Sequence, residues 1–445
     1  MEAKTLKQRT DDATWRDLPE IGIGLLGMGT VGSGVIQLIE AHAWDLAMQT
    51  GHRLRIRKAL VQDLEKERPY RAEHITLTTD AADVLEDPDI QVIIEVIGGI
   101  EPARTYIERA LHSGKHVVTA NKDLMALHGS ALKSLAETHG LDLFYEASVG
   151  GGIPIIRTLV DSFASDRITR IVGIINGTTN YMLTQMTRHG RDFQEALQEA
   201  QTLGYAEADP SSDVDGWDAA RKMVILSTLS FHMPITLEDV PTRGIRDITP
   251  RDIALARELG YVIKLVGQAR RDNGAIELSV EPMLIPRDHP LANVNDAFNA
   301  VFVHGEAVGE TMFYGRGAGS LPTATAVVAD VVHVIRNQAL GVSGRRLQGP
   351  VHEKKLLPPE RIRSRFYLRL TVTDAPGVLS EITQHMAASG VSIERIHQYP
   401  NVEKKMAEVL LITHETTLAN WQYLGQLLAQ MPTIDSINQR LRVLV

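Results

Sequence analysis

The chain has 445 residues, room for about three domains at ~150 residues each, and its 44% hydrophobic and 23% charged residues are ordinary for a globular protein. A net charge of −9 argues against nucleic acid as the main partner, because phosphate binding needs a basic face, and the lack of cysteine excludes disulfides, thiolate catalysis and cysteine-based metal sites. Residues 1–18 form a polar tail without a signal peptide's apolar segment, and no apolar run is long enough to cross a bilayer, so a cytoplasmic protein without a membrane partner is expected.

Residues 21–27 are a short apolar run of the buried-strand kind, leading directly into Gly27-Met-Gly29-Thr30-Val31-Gly32 and then the helical pattern Val35, Ile36, Leu38, Ile39. Glycine turns occur without ligands, but this one has the strand before it and the helix after it. Gly27 permits the tight turn, Gly29 lets a pyrophosphate approach the backbone, and Gly32 lets the helix pack on the strand. The helix N-terminus supplies amide donors and partial positive charge. A second strand at 54–61 runs into Gln62-Asp63. Asp63 stands where a carboxylate holds the adenosine ribose, which favours NAD, whereas Lys66 and Arg68 just beyond suit a 2′-phosphate. A plain strand-end turn residue is the competing account of Asp63.

Residues 92–97 are the next buried strand, ended by Gly98-Gly99; Pro102 opens a helix, and 116–120 form another strand followed by Asn121-Lys122. This alternation predicts a parallel sheet whose ligand crevice lies at the carboxyl ends of the strands, where Lys122 falls. Residues 143–154 place three glycines after a strand. They make either a second phosphate loop or a set of backbone carbonyls that, with Glu146, face a hard monovalent cation. Residues 168–175 form a strand, and Asn176-Gly-Thr178-Thr-Asn180 is a turn with several small donors.

Residues 204–222 organise the chain. They hold Glu207, Asp209, Asp213, Asp215 and Asp218 and close with Arg221 and Lys222. A helix ends before them at Gly204, and a second begins near Trp217 with Asp215 placed as its N-cap. Asp218 and Lys222 are four apart, so they share a helix face. A carboxylate beside an ammonium keeps the lysine charged and fixes its position. Such a lysine can protonate an oxygen that gains negative charge, and the spare carboxylates, Glu207 above all, suit a substrate with its own ammonium. The bland account is an ordinary surface pair worth roughly half a kcal/mol.

From 237 to 303 short helices alternate with strands such as 262–268 and 276–282, as in an open mixed sheet flooring a substrate domain. Residues 314–322 are a second glycine-rich turn carrying Gly317, and 323–335 an apolar helix that returns to the nucleotide domain. A Gly-, Pro- and charge-rich linker follows. The tail then restarts: strand 366–373, turn Asp374-Ala-Pro-Gly377, a helical face from Val378 and Leu379, strands 391–398 and 406–414, helix 418–430 and strand 434–444, a βαββαβ module.

These motifs together resemble homoserine dehydrogenases of the form with a C-terminal ACT domain, over nearly everything after the tail. Gly27–Gly32, Thr119-Ala-Asn-Lys122, residues 146–154, 176–180 and above all 204–222 carry the likeness. The resemblance implies an α/β chain: a Rossmann-type nucleotide-binding domain at 19–150 completed by 315–338, an α+β substrate and dimerisation domain with an open mixed sheet at 151–314, a linker at 339–362 and an ACT-like regulatory domain at 363–445. It implies interconversion of L-homoserine and L-aspartate 4-semialdehyde with NADP or NAD, in threonine and methionine biosynthesis, by a homodimer or homotetramer.

By the same likeness Lys222 is the proton donor and Lys122 lies in the same cleft. Glu207 and Asp218 hold the substrate, with Asp213, Tyr205 and Thr178 around them. Gly27, Gly29, Thr30, Val31, Gly32, Asp63 and Gly98 hold the cofactor, with Gly204 and Gly317 on the nicotinamide side. Main-chain carbonyls of Glu146, Val149, Gly151 and Ile153 bind a sodium-like cation. Threonine is the implied effector, held by Asp374, Gly377, Val378 and Leu379. Many relatives carry arginine just after the second strand, where this chain has Gln62, so the coenzyme choice stays open. A dehydrogenase of another amino-acid semialdehyde would share the glycine turn without the Glu207/Asp218/Lys222 group. A non-catalytic nicotinamide-sensing regulator would keep the folds but has no use for both Lys122 and Lys222.

Overall fold

The computed structural model describes residues 13–68, 70, 73–345 and 352–444, so residues 1–12 of the expected tail and 346–351 of the expected linker lie outside it. The chain forms two compact units. The first comprises Met1–Ser165, Val224–His232 and Phe313–Val351; the second comprises Asp166–Met223, Met233–Met312 and His352–Val445.

In the first unit the strands are β1 Glu20–Leu26, β2 Arg53–Leu60, β3 Thr76–Thr78, β4 Val92–Glu95, β5 His116–Thr119 and β6 Leu143–Phe144. Every pair is parallel and the order is β3-β2-β1-β4-β5-β6. Strands covered on both faces must be apolar at successive positions, and Leu25, Leu26, Val92, Ile93, Ile94, Val117 and Val118 are all buried. The strand order reverses between β1 and β4, the place where such sheets take ligands beyond the carboxyl ends. One apolar core joins Val35, Ile36 and Ile39 of the helix Thr30–Ala41 to Val327, Val331 and Ile335 of the helix Ser320–Leu340, so a distant segment completes this layer.

The second unit holds β7 Ile168–Ile174, β8 Tyr261–Asp272, β9 Ala275–Pro286, β10 Phe298–Gly305, β11 Gly309–Arg316 as far as Met312, β12 Arg363–Thr373, β13 Ile393–Asn401, β14 Met406–Thr413, β15 Thr416–Thr417 and β16 Ile434–Val443. They form one mixed sheet ordered β11-β10-β7-β8-β9-β16-β12-β14-β13, with β15 on β12. The C-terminal βαββαβ order appears as the periodicity predicts, with helices Val378–Ala388 and Leu418–Leu428. Phe366, Leu368, Leu370 and Val372 alternate onto one face of β12, and Phe366 stacks on Trp421 at 4.6 Å.

The C-terminal module is tied to the middle strands by more than chain connection. β16 runs parallel to β9, pairing Arg442 with Met283 and Val443 with Leu284. Arg442 reaches the buried Glu277 at 2.5 Å, and Leu444 joins the core of Val172, Ile174, Val266 and Met283. On the far face of β12 the buried Arg369 binds Asp252 at 2.9 Å and Glu408 at 3.0 Å.

Candidate active site

The glycine turn is built as a ligand cradle. Gly27 has φ +99°, which a side chain rarely adopts, and its N–H donates to the Leu60 carbonyl at 3.0 Å. A Cβ on Gly32 would lie 2.2 Å from the Gly27 carbonyl oxygen, so helix and strand touch backbone to backbone there. A Cβ on Gly29 would meet nothing within 4 Å, so this side of the turn is open for a pyrophosphate at the start of the helix Thr30–Ala41, next to Thr30 and Val31.

Beyond β2, Asp63 is exposed and accepts the Glu65 N–H at 2.9 Å, while the Arg68 guanidinium folds onto the carbonyls of Asp63 and Lys66. At the end of β4, Gly98 has φ +73° and donates its N–H to Glu95, whose fully buried carboxylate also takes Ile97 N–H and the Thr119 hydroxyl. Burial pushes the Glu95 carboxyl above its ordinary range. The only sequence signal for this brace was a carboxylate at the end of an apolar run. Asn121 caps the helix Lys122–Thr138, accepting Leu124 N–H at 3.1 Å, and donates to the Gly99 carbonyl at 2.6 Å. Lys122 is thereby fixed at the first helical position beyond β5.

Glu146 anchors the second glycine loop. Its carboxylate accepts Ile156 N–H at 2.8 Å and Arg157 N–H at 2.7 Å, and its own N–H donates to the buried Asp330 at 2.9 Å. Burial pushes the Asp330 carboxyl up to about 7 although Arg157 pairs with it. Gly150 and Gly151 have φ +74° and +54°, and Gly151 lies against Gly317, whose carbonyl oxygen a Cβ there would meet at 2.5 Å. The Glu146 carbonyl takes only a long bond from Val149 N–H, at 3.4 Å, and that of Ile153 one from Ile155 N–H, at 2.8 Å. The carbonyls of Val149 and Gly151 accept none among the described residues, although both residues are buried. Buried carbonyls are nearly always paired, so these oxygens fit a hard cation.

The acidic stretch folds into a tight polar knot. Helix Phe193–Thr202 ends with Gly204 at φ +75°; Gly204 N–H donates to Gln201 and Tyr205 N–H to Ala200, a Schellman ending. Helix Trp217–Phe231 makes its first bond from Ala220 N–H to the Gly216 carbonyl at 2.9 Å, so Asp215 is not its N-cap. Gly216 takes φ +89° there, and the Asp215 carboxylate turns out to pair with Arg246.

Lys222 and Asp218 are 8% and 5% exposed, which overturns the surface-pair account. The Lys222 ammonium donates to Asp218 Oδ2 at 2.7 Å and to the Ile175 carbonyl at 2.7 Å. Asp218 Oδ2 also takes Asn176 Nδ2 at 2.9 Å, and the same amide nitrogen donates to Asp213 at 2.6 Å. Burial, then the charge of Asp218, hold the Asp213 carboxyl above its usual range, against the pull of the Asn176 and Thr178 hydrogen bonds. Thr178 donates to the Tyr205 carbonyl at 2.7 Å, and the Tyr205 ring lies 4.9 Å from that of Tyr181. Glu207 is exposed, and none of these hydrogen bonds reaches its carboxylate.

One buried lysine went unread in the sequence. Lys264 donates to Asn180 Oδ1 at 2.9 Å and the Val294 carbonyl at 2.6 Å, locking the helix Gly177–His189 to the loop at Val294. Burial pulls its ammonium down to about 7. Above that pH the folded protein has released this proton while the unfolded chain keeps it, so the unfolded state binds more protons and stability rises with pH up to the ordinary lysine range. Thermal melts from about pH 7 to 9 should therefore climb in the parent relative to Lys264→Met, whose curve lacks that slope; parallel curves would refute this.

In the C-terminal turn Gly377 has φ +94° at the start of the helix Val378–Ala388. Asp374 is exposed and takes a long bond from Gln398, at 3.4 Å. Val378 is buried in the module's core and Leu379 packs against it, and the Val378 N–H donates a long bond to the Ala375 carbonyl at 3.4 Å.

The switch-point turn is shaped for a pyrophosphate, and the buried ammonium aimed by a carboxylate suits an oxygen that gains negative charge; each suits a nicotinamide-dependent oxidoreductase acting on an alcohol or its carbonyl product. The comparisons agree. A family model for homoserine dehydrogenase matches residues 154–332 and one for the homoserine dehydrogenase NAD binding domain matches 27–146. The chain is 50% identical to the homoserine dehydrogenase of Bacillus subtilis (strain 168) over 95% of this chain and 98% of that one. The crystal structure of a homoserine dehydrogenase from Thiobacillus denitrificans superposes with a TM-score of 0.89 at 42% identity, covering 96% of this chain and 98% of the other. A hyperthermophilic archaeal homoserine dehydrogenase in complex with NADPH has a TM-score of 0.59 at 25% identity, over 75% of this chain and all of that one. The chain belongs to the homoserine dehydrogenase family: it is an NAD(P)-dependent oxidoreductase acting on a CH–OH group. Among the described residues no helix is long and apolar enough to cross a membrane.

Proposed function

We propose that Lys222 is the proton donor when L-aspartate 4-semialdehyde is reduced to L-homoserine. The observation that carries this is its buried ammonium, held by Asp218 and the Ile175 carbonyl at 2.7 Å each. Two of its three N–H bonds are thus directed, and the third is available to an oxygen. The bound nicotinamide supplies the hydride; the protein's own part is to stabilise the oxygen that becomes negative and to protonate it. Asp218 aims the ammonium, and Asp213 and Glu207 offer anionic contacts to the substrate's own ammonium, with Thr178 and Tyr205 beside them. Lys122, at the carboxyl end of β5, assists as a second cation. Lys222→Ala tests the reading, since turnover should collapse while coenzyme still binds.

The open face at Gly29 and the Gly27, Gly32 and Gly98 backbone support a pyrophosphate site for NAD or NADP, with Gly204 and Gly317 assigned to the nicotinamide side. Asp63 favours NAD and Lys66 and Arg68 favour NADP, which initial rates with NADH and NADPH separate. The unpaired carbonyls of Val149 and Gly151, with those of Glu146 and Ile153, support a sodium-like cation. The family reading further takes the enzyme as cytoplasmic and as a homodimer or homotetramer.

Residues 363–445 lie beyond the matched family models and form a βαββαβ module, which we read as an ACT-like regulatory domain that binds threonine. Asp374 suits the amino group, and the N–H groups that follow Gly377 suit the carboxylate. Threonine should inhibit the full chain, and Asp374→Ala should raise the half-inhibitory concentration about tenfold or more with kcat unchanged. An uninhibited parent enzyme would reject this regulatory reading.

A further inference from the structure

We infer that Asn176 is a positioning residue of the reaction: its carboxamide bridges Asp213 and Asp218 and so keeps Asp218 available, as a carboxylate, to aim Lys222. This rests on the assignment of Lys222 as proton donor. Two buried carboxylates that face one another without a donor between them share a proton. Here Asn176 Nδ2 gives one N–H to Asp213 Oδ1 at 2.6 Å and the other to Asp218 Oδ2 at 2.9 Å. Its orientation has no alternative, because Oδ1 accepts the Thr179 N–H at 2.8 Å and the Thr179 hydroxyl at 2.7 Å.

One side chain therefore does two jobs. Its oxygen caps the helix Gly177–His189, and its nitrogen holds the carboxylate pair. The residue is 5% exposed, and the residue before it, Ile175, offers its carbonyl to the Lys222 ammonium. Beside Asp218 stand Lys222, from its own helix, and Asp213, from the short helix before it, and Arg246 is engaged by Asp215. The Asn176 amide stands as a neutral bridge between the two acids.

The two roles separate by substitution. Serine and aspartate both cap helices well, so Asn176→Ser and Asn176→Asp keep the helix start. Serine removes the bridge, and aspartate replaces it with a third carboxylate. Both variants should lose about 100-fold in kcat, keep the KM for NADPH within about twofold, and show the acid limb of kcat moved up by about one pH unit. The limb should move further in the aspartate variant. Matching thermal melts establish that each variant is folded.

If both variants fold and keep parent kcat and an unmoved acid limb, Asn176 is only a helix cap and the inference is overturned. A fall in kcat without a change in the pH profile overturns it equally. If Lys222→Ala is itself silent, the proton-donor assignment fails first; silent Asn176 variants beside a dead Lys222→Ala enzyme reject the bridge alone.

Discussion

Lys222→Ala should lower kcat for reduction of L-aspartate 4-semialdehyde by ~10²–10⁴-fold, the usual worth of a positioned general acid. The loss is large because one ammonium does two things to the same atom, stabilising the developing negative charge and then supplying the proton. Its position is set by Asp218 and the Ile175 carbonyl, both inside a buried knot. Coenzyme affinity, which we assign to the glycine turn, should stay within about twofold, and this separates lost chemistry from lost folding. Lys222→Arg restores charge but not the compact ammonium, and should recover little activity. A Lys222→Ala enzyme with near-parent turnover would leave the lysine as a structural partner of Asp218.

A chain ended at residue 362 should fail to fold stably, rather than emerge as an active enzyme freed from control. Removing β16 strips the edge of β9 and takes Leu444 out of an apolar core that includes Val172, Ile174 and Met283. It also leaves Glu277 without Arg442 and Asp252 without Arg369, and both carboxylates are buried. Breaking a buried pair from one side costs about 3–5 kcal/mol. Glu277 keeps Arg270 at 3.1 Å, so the Asp252 loss is the fuller one, and it compares with a total stability of roughly 5–15 kcal/mol for a typical domain. The checks are soluble yield and the melting temperature beside the full chain. A truncated protein that melts within about 3 °C of the parent would show that the module is a detachable appendage. Regulation is therefore better probed by substitutions in the turn around Asp374 than by deletion.

Much of this was legible in the sequence because it is local. Gly27-x-Gly29-x-x-Gly32 announces itself through the strand before it and the helix after it, and four-residue spacing alone puts Asp218 beside Lys222. The βαββαβ order of the tail follows from alternation and turn residues. What escaped was non-local or depended on a single dihedral angle. Asp215 looked like a cap, but Gly216 adopts a left-handed conformation that sends the carboxylate to Arg246. Asn176 meets Asp213 and Asp218 from 37 and 42 residues away, a distance no periodicity spans. The union of β16 with β9 is likewise a pairing between strands far apart in the chain, and the alternation of each strand is the same whichever neighbour it finds. Lys264 sits in an apolar strand, where only the fold reveals that its partners are Asn180 and Val294.

The oxygens left over in the loop after Glu146 belong to the main chain of Val149 and Gly151. The cation site proposed here is made of main-chain oxygens and has no side chain to delete, so a residue-by-residue alanine scan would pass over it. Its sensitivity lies in the path of the peptide at Gly150 and Gly151, and bulk at Gly151 would press on the carbonyl of Gly317 before it disturbed anything else. Salt composition of the buffer, rather than mutagenesis, is the variable that tests this proposed site.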